Sequence, residues 1–151
     1  MTKRTKMILA VIGFLAWFLY IYKFVYIGPP KEVMLKNTKY TIGKVTSEYY
    51  NAKPNGYGYD YRFKYGSEVR KGHRNGEFKL GGRYLVAYDS TNIKNGYVIL
   101  DKFDVTDSLV KYHIEQEYGD YPQGWSLEKI PFQYDKSDIE YEVRIYVMSK
   151  Q

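Results

Sequence analysis

The chain has 151 residues, a net charge of +6 and no cysteine, which excludes disulfides, thiolate metal sites and thiol lipidation while leaving the compartment open. Residues 31–151 hold 19 Lys and Arg against 17 Asp and Glu, so most of the excess charge belongs to the first thirty residues. A stretch of 121 residues is enough for one domain with a core and too short for two.

A basic tail, residues 1–6 with Lys3, Arg4 and Lys6, leads into MILAVIGFLAWFLYIYKFVYI at 7–27. At about 1.5 Å per residue this run reaches roughly 31 Å, the thickness of a bilayer's hydrocarbon core. Apolar residues cover every face, which argues for a transmembrane helix rather than an amphipathic surface helix. A buried core helix is disfavoured because the rest of the chain reads as strands, with no other long helix to pack around this one. Lys23 would cost about 2.5 to 3.5 kcal/mol at the bilayer centre, but four residues before Ile27 its stem can carry the ammonium to the headgroups. Trp17, Tyr20, Tyr22, Lys23 and Tyr26 are therefore expected at the membrane interface.

A cleaved signal needs small residues after a short apolar run; here the run is long and ends in FVYIGPPK, so a signal anchor that stays is expected. Three positive charges precede the span and only Lys31 follows within eight residues, although Lys36, Lys39 and Lys44 make the wider tally nearly even. Proximity favours a single-pass protein of the inner (cytoplasmic) membrane, with its N-terminus cytoplasmic and its C-terminal domain extracytoplasmic. The lipid bilayer is then a partner through residues 7–27.

Residues 28–39 read as a linker and 40–151 as a β domain. Lys31 to Arg83 carries 12 basic against 5 acidic residues, and Tyr84 to Gln151 carries 7 against 12. Paired within one fold, the halves complement each other; as separate faces, the basic one would meet anionic headgroups or another polyanion.

Strand alternation is clearest at Tyr59, Tyr61, Phe63 and Tyr65, which share one face. A two-residue turn at Gly66 and Ser67 would put Val69 on the opposite face, whereas a three-residue loop would return it to the same one. Further strands are expected at Tyr40 to Tyr50, Arg83 to Asp89 (Tyr84, Val86 and Tyr88 on one face), Tyr97 to Asp101, and Ile139 to Met148 (Tyr141, Val143, Ile145 and Val147 on one face). NAKPNGYG, GG and DSTNIKNG supply the turns. Phe103 to Tyr118 fits both periods and is read as extended from its β-branched and aromatic content. Strands near ten-residue spacing imply a mainly β fold, a small antiparallel β-barrel or sandwich.

Catalytic signals are weak. His73 and His113 lack a metal-ligand spacing, and no nucleophile elbow, P-loop or dinucleotide motif is present. Asp101, Asp104 and Asp107 are spaced three apart, which does not fit a calcium loop. Glu115, Glu117 and Asp120 offer carboxylates for glycoside chemistry, but among 17 acidic residues such a pairing arises by chance. Most of the nineteen tyrosines follow strand alternation and belong to the core. The exceptions are Tyr118, Tyr121 and Trp125 in YGDYPQGW, a loop that either caps the open end of the barrel or presents a binding platform; the cap is the favoured role.

The succession TIGKV, YDYRFKYGSEV, GGRYLVAYDSTNIKNGYVILDKFDVTDSL and PQGWSLEKIP resembles a group of small envelope-anchored β-domain proteins of unknown function, frequent in Bacteroidota. The resemblance covers residues 40–131. Its shared residues are Gly43, Tyr84, Val86, Tyr88, Asn92, Leu100, Asp101, Asp107, Ser108, Gly124 and Trp125, which it implies to be turn and core positions, with no catalytic residue among them. Residues 132–151 fall outside it.

The expected function is a membrane-anchored extracytoplasmic binding or protein-interaction module rather than an enzyme, without a cofactor. Its partner would be an envelope protein or glycan, or an arriving toxin in an immunity-type role; nucleic acid is not expected. The alternatives are an envelope hydrolase using loop carboxylates, and a cytoplasm-facing domain that binds anionic lipid.

Overall fold

The computed structural model describes residues 1–25, 28–111 and 124–151. Helix α1, Lys3–Val25, is long and apolar enough to cross a membrane, and its apolar window is 0% buried against the rest of the chain. Leu, Ile, Phe and Ala carry it without a charge between Met7 and Tyr22, so no polar face breaks its surface.

Six antiparallel strands follow: β1 Thr38–Val45, β2 Tyr50–Asn51, β3 Tyr57–Tyr65, β4 Glu68–Arg74, β5 Arg83–Asp89 and β6 Tyr97–Asp104. Their lateral order is β4–β3–β1–β5–β6, with short β2 added at the start of β3. Gly66 and Ser67 form a two-residue turn that pairs Tyr65 with Glu68 and Lys64 with Val69. Val69 thus lies opposite the ring face of β3, 46% exposed.

Both faces of the sheet are buried at β5. Tyr84, Val86 and Tyr88 join Val45, Tyr61, Phe63 and Ile99 in one cluster, while Leu85 and Ala87 join Tyr40, Ile42, Val98 and Leu100 in the other. The first cluster lies inside the curl of the sheet. The second is covered by helix α3, Lys136–Ser149, through Ile139, Val143 and Val147, together with Met34 from a 3-10 turn at Glu32–Lys36. Residues 30–37 are therefore built into the domain: Pro30 is buried and Met34 is 0% exposed.

The mainly β, antiparallel domain expected from sequence is present as a curled sheet that does not close into a barrel: β4 and β6 approach without backbone pairing. Side chains bridge the gap instead, Arg74 Nη1 donating to the Ile99 carbonyl and the Tyr97 hydroxyl to the Lys71 carbonyl at 2.7 Å. Ile139 to Met148 is helix, not strand. Its apolar run satisfies both periods, and the decision falls to the helical stripe Ile139–Val143–Val147 and to the Asp135 N-cap, whose carboxylate accepts from Ser137 N at 2.8 Å. Phe103 and Asp104 do extend β6, but Thr106–Lys111 turns helical as α2, burying Val105 and Leu109 and leaving Val110 75% exposed; positions 112–118 lie outside the described residues.

Candidate binding cleft

The open seam between β4 and β6 is concave. Edge strand β4 carries Gly72 opposite Tyr61 in register, and a Cβ at Gly72 would lie 2.3 Å from the Tyr61 ring. Only glycine lets that ring lie flat across the edge strand and floor the seam. Tyr97 from β6 and Tyr146 from α3 form the opposite wall, Lys71 and His73 the near rim, and Lys150 the far end. Gly28, Pro29 and Pro30, the residues that enter the domain from α1, make the lip. This space is about 430 Å³, and lobes of about 340 Å³ continue from it toward Tyr57 and Ser149 and toward Asp60 and Arg62.

Its electrostatics are cationic. Register places Lys71 directly opposite Arg62, Arg62 opposite Lys44, and Lys44 opposite Arg83, a row of four basic residues across four strands. Like charges directly opposite one another destabilise a sheet. Lys44 and Arg83 make contacts of their own; Arg62 and Lys71 form the end that enters the cleft. At the other wall, the Arg74 guanidinium stacks 4.6 Å from the Tyr146 ring centroid and the Lys150 ammonium lies 5.6 Å from the same ring. Arg74 is partly balanced by Asp101 at 3.9 Å.

His73 is held from both sides. Nδ1 lies 2.8 Å from Asp60 Oδ1 and Nε2 lies 3.0 Å from the Gly56 carbonyl, so both ring nitrogens are engaged. Tyr50 donates to the other Asp60 oxygen at 2.7 Å. Burial pushes the Asp60 carboxyl up, but the hydrogen bonds from Tyr50 and His73 and the nearby positive charges outweigh it and hold the group below its usual range. With both ring nitrogens engaged, this chain of three side chains clamps the β2–β3 loop. Burial raises the Tyr97 and Tyr146 hydroxyls above their usual range, Arg70 and Arg74 respectively opposing it, so both remain neutral hydrogen-bond donors.

No family model, curated protein or solved structure matches the chain. The cleft's own chemistry therefore carries the functional reading.

Of the residues singled out from sequence, Trp125 lies away from the cleft. Its backbone exchanges two 2.8 Å hydrogen bonds with Tyr40, and its half-buried ring meets Phe132 edge-on at 5.6 Å. Tyr118, Tyr121, His113, Glu115, Glu117 and Asp120 lie outside the described residues, as does Tyr26. Trp17, Tyr20, Tyr22 and Lys23 are exposed along the second half of α1. Asp104 is occupied by Thr106 N at 2.9 Å and Thr106 Oγ1 at 2.6 Å, and no group of three or more His, Asp or Glu is disposed to hold a metal among the described residues. Sequence reasoning passed over Lys71, Gly72, Tyr97, Tyr146 and Lys150; the legible signal was a lone glycine inside the strand EVRKGHR.

Proposed function

We propose that this protein is a membrane-anchored binding module, with α1 as an uncleaved single span and the sheet domain on the extracytoplasmic side, holding an anionic partner in the seam cleft. The supporting observation is the position of that cleft: basic and tyrosine-lined, its lip is formed by the very residues that leave α1. A partner seated there is held next to the anchor, which suits an envelope component such as an anionic glycan, a lipid headgroup or an envelope protein. Concavity, a few converging cations and aromatic walls are the features of a recognition site.

Topology is tested on the full chain, which has no native thiol, by introducing Ser149→Cys. Labelling by a membrane-impermeant reagent in intact cells is the expected result; labelling only after lysis would reverse the orientation. Intact mass is expected to include residues 1–27. For the cleft itself, a photo-crosslinking residue at Asn55 is expected to trap a partner in the native envelope more efficiently than one at Tyr141, which is 60% exposed on the outer side of α3. Equal trapping from both positions would remove the cleft as the binding site.

A further inference from the structure

The cleft's ligand class follows from where its charges stand relative to the anchor. Gly28 is three residues beyond Val25, so its backbone lies within about 11 Å of the end of α1 whatever path the chain takes. If α1 spans, its end sits at the edge of the hydrocarbon, and the lip of the cleft then falls in or just above the headgroup layer, some 5 to 8 Å thick. The groups it presents there are cations. Among the described residues neither Lys71 nor Lys150 reaches an Asp or Glu, and both ammonium groups are exposed. Asp60, the one carboxylate among the described residues lining the connected space, has both oxygens occupied by Tyr50 and His73. Arg74 joins Lys150 at a single ring, that of Tyr146, and Arg62 faces Lys71 across the hairpin. An assembly of like charges at this density is stabilised by a bound anion.

We propose that the seam cleft binds the phosphate of an anionic membrane-lipid headgroup, gripped between Lys71 and Lys150, with Arg62 and Arg74 adding field and the Tyr97 and Tyr146 walls excluding water. This rests on the binding-module reading above and names its ligand. Phosphate is the shared chemistry of two sources, a headgroup in the bilayer and a free phosphate ester. The bilayer is favoured because the lip is tethered to it and because a basic residue near an anionic surface gains about fivefold in affinity.

The test uses the full chain in nanodiscs of neutral phosphatidylcholine, with the backbone amides of Gly72 and His73 followed by NMR. Phosphatidylglycerol is raised stepwise in the discs in one arm, and glycerol 1-phosphate is added to neutral discs in the other. Saturable shifts with phosphatidylglycerol, and a half-saturation roughly 30-fold higher in Lys71→Ala/Lys150→Ala, support the headgroup. Shifts with glycerol 1-phosphate alone overturn the lipid source. Absence of shifts in both arms, or shifts indifferent to the double substitution, overturns the phosphate proposal altogether. Both lysines are exposed, so an unchanged melting temperature will show that the variant is folded. Trapping from Asn55 in the native envelope is read separately: if it persists while both arms are silent, the binding module stands and only its ligand is wrong.

Discussion

Gln151 donates from Nε2 to the Pro30 carbonyl at 2.9 Å, joining positions 121 residues apart, and the same amide reaches Val147 O at 3.1 Å. The end of α3 is thereby strapped to the residue at which the chain enters the domain. Lys31 N adds a 2.7 Å bond to the Asn95 carbonyl, and Pro30 rests on Gly96, where a Cβ would lie 2.6 Å from it. Pro30 and Lys31 are thus held against the domain by α3 and the β5–β6 loop.

Gly96 has φ +133°, a conformation that side chains resist, and Pro30 fills the space a Cβ would need. Gly96→Ala is expected to destabilise the domain by about 1 to 3 kcal/mol and to speed trypsin cleavage after Lys31. Thermal denaturation and limited proteolysis of the full chain check both effects. Parental melting with an unchanged cleavage rate would mean that this contact is not formed.

Helix α3 gives an opposed pair of substitutions. Ile139 is 0% exposed and Tyr141 is 60% exposed, whereas a strand with Tyr141 and Val143 on one buried face would make Tyr141 the costly position. Ile139→Ala is expected to cost about 2 to 5 kcal/mol, and Tyr141→Ala no more than about 0.5 kcal/mol. Chemical denaturation of the two variants decides between the periods; a larger loss at Tyr141 would restore the strand.

Much of the sheet was legible because its strands alternate cleanly. Tyr59 to Tyr65 and Tyr84 to Tyr88 place their rings on one face, as the period of two requires. Closure was not legible. A barrel and a curled open sheet share the same alternation, and in this one Arg74 occupies the β6 carbonyl of Ile99 and Tyr97 the β4 carbonyl of Lys71 in place of a backbone ladder. The α3 run misled because Tyr141 and Ile145 are apolar at exposed positions, which fills in the second period. The cleft was hidden for a different reason: its walls come from β3, β4, β6, α3 and Gly28–Pro30, and no local window contains more than one of them.

Trp125 was expected to cap the domain, and its packing on Phe132 allows the size of that contribution to be set. A half-buried tryptophan removes about 100 Å² from water, so Trp125→Ala is expected to cost about 2 to 3 kcal/mol. The two backbone bonds to Tyr40 persist in the variant, and the amide of Tyr40 should stay protected in hydrogen exchange. A variant that melts like its parent would reopen the surface role for this ring.

Acid stability should track Asp89. Its side chain is 0% exposed, and burial alone would push the carboxyl up. The backbone N–H of Asn92 at 2.9 Å, both Thr91 groups at 2.7 and 2.8 Å and the Asn95 amide at 3.0 Å overcome that cost and hold it below the usual carboxylate range. A carboxylate whose folded pKa is depressed adds stability that is fully present above its unfolded pKa of about 3.9 and is lost as pH falls through the lower folded value. Melting temperature is therefore expected to be level near neutrality and to drop below about pH 4, other carboxylates contributing. Asp89→Asn puts at least one amide hydrogen against groups that themselves donate, and is expected to cost about 1.5 to 3 kcal/mol at pH 7. Its penalty should shrink as pH falls, because the parent loses the same interaction by protonation. A penalty equal at pH 7 and pH 3 would show that the Asp89 charge does not hold the β5–β6 loop on which Pro30 rests.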